Sequence, residues 1–100
     1  MARLGDLVEK VRSKNAGPFW LTIDVFCGDG ETFQTVRDSL STDRVAALYH
    51  QPVDAVKRFD IEALQVIKFS MPRPVVQGSR EDRDMHASQW GWVLAEMDLN

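Results

Sequence analysis

Phe19-Trp20-Leu21-Thr22-Ile23-Asp24-Val25-Phe26-Cys27 is the stretch that decides the fold. Phe19, Leu21, Ile23, Val25 and Cys27 are all apolar, while Trp20, Thr22, Asp24 and Phe26 fall on the other side. That period of two predicts a strand with one buried face. Gly28-Asp29-Gly30 ends it. This segment lacks both a Gly-Lys-Ser/Thr ending and a full G-x-G-x-x-G, so it reads as a strand-to-helix turn and not as a phosphate loop. From about Glu31, Phe33, Val36 and Leu40 follow helical spacing. Ser41 suits the N-cap of a second short helix carrying Val45, Leu48 and Tyr49. Pro52 stops that helix, with His50 near its C-terminal end, where positive charge is favourable.

Further along, residues 55–60 and 64–71 read as two strands, the second lined by Ile67, Phe69 and Met71 and ended by Pro72 and Pro74. Ser79 can cap a helix from about Arg80 to Gly91, and residues 92–99 alternate as a last strand. In the other direction, Leu4, Leu7, Val8 and Val11 predict a helix over 4–11, and residues 12–18 a loop. The order strand, helical pair, strand, strand, helix, strand predicts an α+β fold. It is a ferredoxin-like βαββαβ sandwich forming one domain over residues 1–100, with a four-stranded antiparallel sheet and helices on one face. In that topology the start of strand 19–27 lies beside the end of strand 64–71. Loop 12–18, the Pro72-Arg73-Pro74 corner and the start of the last helix then meet at one sheet edge.

Composition narrows the function classes. One hundred residues, 44% apolar and 27% charged, suit one globular domain. A net charge of −3 lacks the basic excess of a general nucleic-acid binder, so no nucleic-acid partner is expected. No apolar run approaches the ~20 residues of a membrane span, and Arg3, Gly5 and Asp6 interrupt any signal-peptide core. The single cysteine, Cys27, cannot form an internal disulfide, which points to a reducing, cytoplasmic setting.

Two surfaces stand out. Arg12, Ser13, Lys14, Asn15 and Arg73 would meet Ser79, at the head of its helix, to form an edge suited to a carboxylate or phosphate. Trp20, Phe26, Val66, Trp92 and Leu94 would share the helix-free sheet face, an apolar patch of the kind that marks an interface. Asp82 and His86 share a helix face but Asp84 points away, so no metal site is expected, and nothing calls for a cofactor. Cys27 ends a buried row where a thiol is inert. His86, on the helix beginning at the basic edge, is the better acid/base candidate of the two histidines.

Arg12-Ser13-Lys14-Asn15-Ala16-Gly17-Pro18-Phe19, Leu21-Thr22 and Asp24 form a distinctive block, followed by Pro72-Arg73-Pro74, Gly78-Ser79, Asp82, Asp84 and Gln89. In these residues the chain resembles a family of small bacterial proteins of this length, catalogued as a domain of unknown function. Its members accompany a large protein similar to acyclic terpene utilisation protein A. The resemblance implies a ferredoxin-like small partner, or fused C-terminal domain, of a larger acyl-CoA or carboxylate-processing enzyme, and a strand at Leu4-Gly5-Asp6-Leu7. Trp90-Gly91-Trp92 departs from the family's pattern, and no catalytic residue carries over.

The expected function is therefore an accessory subunit of a hydratase, isomerase or lyase type of enzyme, binding its partner through the sheet face. The alternative is a stand-alone homo-oligomeric module that binds a small carboxylate or phosphate.

Overall fold

Alternation in the deciding stretch is realised as strand β2 (Trp20–Phe26), with Leu21, Ile23 and Val25 fully buried. The structure, a computed structural model, describes residues 3–17, 19–73 and 88–99. β2 pairs antiparallel with β4 (Val66–Pro72), from Trp20 opposite Pro72 to Phe26 opposite Val66, the adjacency expected of strands 19–27 and 64–71. β4 pairs in turn with β3 (Lys57–Ile61). Phe19, expected on the buried row, lies just outside β2 and is exposed; its carbonyl accepts the Arg73 N–H at 2.7 Å.

The remaining strand is not the expected one. β1 (Lys10–Asn15) pairs antiparallel with β2, giving the order β1-β2-β4-β3. Residues 12–15, read as loop, are thus strand. Residues 92–95, read as strand, belong to helix α4 (Ser88–Ala95), and Asp98 makes only an isolated bridge with Arg3. The physical reason is local. The free edge of β2 needs partners for its N–H and C=O groups. β1 reaches that edge through a short turn in which Gly17 takes a positive φ and Ala16 N–H bonds the Trp20 carbonyl. Closing so short a loop costs less entropy than bringing residues 92–99 back to the same edge.

The helices sit where the caps place them. Asp29 Oδ1 accepts the Thr32 N–H at 2.7 Å and starts α2 (Gly30–Ser39). Ser41 Oγ accepts the Arg44 N–H at 3.2 Å and starts α3 (Thr42–Leu48). α3 ends with His50 in the left-handed region, and Gln51 N–H and His50 N–H close back onto the Ala46 and Ala47 carbonyls. Of the helix expected over 4–11, a single turn forms as α1 (Leu4–Leu7) before Glu9 N–H bonds the Phe26 carbonyl. That turn also replaces the strand the resemblance implied for Leu4–Leu7.

Leu4, Phe33, Val36, Leu40, Val45, Tyr49 and Leu94 pack with Leu21, Ile23, Val25, Ile67, Phe69 and Met71 in one core. The described helices therefore contribute to a single core on one side of the sheet. Among the described residues no helix is long and apolar enough to cross a membrane.

Candidate functional site

Antiparallel register turns the strands' alternation into rows across the side of the sheet opposite the core. Lys10, Phe26, Val66 and Ile61 form one row, and Arg12, Asp24, Lys68 and Phe59 the next. Lys14, Thr22, Ser70 and Lys57 form a third, followed by Trp20 opposite Pro72. Five cations and one carboxylate share these strand positions, in a chain whose net charge is −3. The composition conceals this because the compensating acids lie elsewhere.

Asp24 sits near the centre of the face with Lys68 Nζ 3.9 Å from its Oδ1, and its side chain is largely buried. Neither that oxygen nor Thr22 Oγ1 has a hydrogen-bond partner among the described residues. The Lys10 ammonium lies 4.9 Å from the centroid of the Phe26 ring, a cation–π contact across the β1–β2 pair. Trp20 and Phe59 remain open, at 39% and 49% exposure.

The residues of the expected anion edge are divided by the pleat. Arg12 and Lys14 are exposed on the helix-free face. Ser13 and Asn15 share the core-side rows of Ile23 and Leu21, and Ser13 Oγ accepts the Gly91 N–H at 2.8 Å. Arg73 is buried, 7% exposed, beyond the end of β4. Ser79 and His86 lie outside the described residues, as do Asp82 and Asp84.

Of the expected interface set, Trp20, Phe26 and Val66 occupy the helix-free face, with Val66 nearly buried in the row between Phe26 and Ile61. Two members need correction. Leu94 is fully buried in the core, because residues 92–95 are helical and the helix turns that side chain inward. Trp92 is 76% exposed on α4, which packs against the core side of β1, so it does not belong to the sheet patch. Lys10, Lys57, Phe59 and Ile61 were missed. The alternation Lys10-Val11-Arg12-Ser13-Lys14 carried the signal for the first of them, but a row with one apolar residue resembles a loop.

Chemically the face offers cations, open aromatics and the hydroxyls of Thr22 and Ser70. Cys27 is buried, and burial, helped by the Asp29 charge, pushes its thiol up to about 11. Among the described residues no group of three or more His, Cys, Asp or Glu side chains could hold a metal ion. A shallow groove of about 200 Å³ beside α1 and α2 is lined by Leu7, Glu31, Thr32 and Thr35. Its carboxylate makes it a poor match for an anion.

A family model described as a domain of unknown function, DUF4387, matches residues 4–98. No curated protein and no solved structure matches the chain.

Proposed function

This chain belongs to the DUF4387 family of domains of unknown function, and we propose that it serves as an accessory small subunit docked on a larger enzyme chain through its helix-free sheet face. The partner in this reading is a large chain similar to acyclic terpene utilisation protein A, and the complex acts on an acyl-CoA or carboxylate by hydration, isomerisation or lyase chemistry. One observation carries it: Trp20 and Phe59 stand exposed on a sheet face that no described helix covers. Open aromatics of this size are characteristic of partner surfaces. Arg12 and Lys14, exposed on the same face, place positive charge at the rim of the docked complex. The architecture reads as a ferredoxin-like sandwich whose last edge strand is replaced by β1.

The alternative, a homo-oligomer packed sheet to sheet, fits less well. A two-fold interface sets the same patch against itself, and here that opposes two surfaces each rich in Lys and Arg.

Light scattering on the chain, the large chain and their mixture tests the proposal. A new species whose mass contains both chains is expected. A mixture that elutes as its separate components, with the small chain alone forming a stable dimer, would favour the alternative.

A further inference from the structure

We infer that the occupant of the helix-free sheet face is an acidic protein surface, one that sets carboxylates against Lys10, Arg12, Lys14, Lys57 and Lys68 and an apolar group against Trp20. The inference rests on the reading of this face as a docking surface.

Charge complementarity supplies the argument. The pairing register gathers five cations from three strands onto one face, with Asp24 the only carboxylate among its strand positions. Lys10, Arg12 and Lys14 line one edge strand and Lys57 stands on the opposite edge. The positive charge thus flanks a centre of Thr22, Asp24, Lys68 and Ser70. Charged rims of this kind steer association and select partners of opposite sign, while buried aromatics supply the affinity.

A single-stranded nucleic acid is the other polyanion to weigh, and the face suits it poorly. Sequence-tolerant binding needs aromatics on which successive bases stack. Trp20 and Phe59 are two strands and four residues of β4 apart, about 16 Å at ordinary strand spacings. The Phe26 ring between the strands lies beneath the Lys10 ammonium. Asp24 at the centre would face the phosphates. A protein surface can instead offer donors near Asp24 and Thr22 and carboxylates at the rim.

The test uses the full chain with three probes: the large partner chain, poly-L-glutamate and oligo(U). Affinity for the large chain should weaken about tenfold between about 50 and 300 mM NaCl. The variant combining Lys10→Glu, Arg12→Glu and Lys14→Glu should show a comparable loss at low salt. In ¹⁵N-labelled protein, poly-L-glutamate should shift the amides of residues 10–14, 57–59 and 68. Partner binding that ignores both salt and charge reversal would overturn the inference while leaving the accessory role standing. If the large chain does not bind but poly-L-glutamate still maps to these rows, the accessory role fails and the inference stands. Poly-L-glutamate shifts that fall elsewhere, or preferential binding of oligo(U) at equal charge, would overturn the inference whatever the partner does.

Discussion

Ser13 Oγ accepts a hydrogen bond from the Gly91 N–H at 2.8 Å, which joins the edge strand β1 to helix α4. The approach is close enough that a Cβ at Gly91 would lie 3.2 Å from the Ser13 nitrogen and 3.4 Å from the Arg12 carbonyl carbon. Gly91 is therefore where the C-terminal helix rests on the strand that carries the basic row.

Ser13→Ala should cost about 1 kcal/mol, the usual net worth of such a bond. Gly91→Val should cost about 2 kcal/mol or more, because a branched side chain overpacks the contact and lifts α4 from β1. Urea denaturation of the two variants checks both values, and an unchanged midpoint for Gly91→Val would contradict this packing.

Arg58 holds the C-terminal end of α2 to the edge strand β3. Its guanidinium donates to the Leu40 and Arg37 carbonyls, pairs with Asp60 Oδ1 at 2.9 Å and lies over the Phe69 ring. An ammonium cannot reproduce that planar fork. Arg58→Lys should lower stability by about 1–2 kcal/mol in chemical denaturation, despite conserving the charge.

The Asp29 cap makes stability depend on acid. Hydrogen bonding from Thr32, chiefly its backbone N–H, holds the Asp29 carboxyl below its ordinary value. A depressed folded value means that the unfolded chain takes up this proton first as the pH falls. The contribution is complete above about pH 4 and is lost as the pH drops through the folded value. Asp29→Asn can still accept the Thr32 N–H, so its melting temperature should fall less steeply than that of the wild type between neutral pH and about pH 2.5. Parallel melting curves would rule out the cap as a source of acid sensitivity.

Cys27 should behave as a buried thiol. With its ionisation pushed up to about 11 and its side chain in the core, it should resist thiol reagents at about pH 8 in native buffer and react on unfolding in guanidinium. The raised value also means that the unfolded chain ionises first in alkali, so stability should decline as the pH climbs from about 9 toward 11. Rapid native-state labelling would place Cys27 outside the core.

What could be read from the sequence follows the strength of each local pattern. β2 and β4 were legible because every second residue is apolar over seven positions, and their antiparallel adjacency followed from topology. Ser41 marks a helix start through its own chemistry, while Asp29, read only as part of a strand-to-helix turn, is the cap of α2. β1 was not legible: its inward row is Val11, Ser13 and Asn15, two of them polar, and Ser13 is accommodated by the Gly91 N–H of α4 and not by a core. Val93, Ala95, Met97 and Leu99 alternate as a strand would, yet the core takes Leu94 together with Leu99 and leaves Val93 exposed, a tertiary choice that periodicity cannot announce. The basic face escaped notice for the same reason. It exists only once β1 and β3 are placed at the two edges of the sheet.

Docking through the helix-free sheet face is put to the test by calorimetric titration of the large partner chain with wild type and Trp20→Asp. Far-UV circular dichroism should first show that the variant retains its fold. Wild type should bind measurably and Trp20→Asp should weaken that binding by about 2 kcal/mol or more, the loss expected of a buried aromatic anchor. Equal affinities for the two proteins would contradict docking through this face.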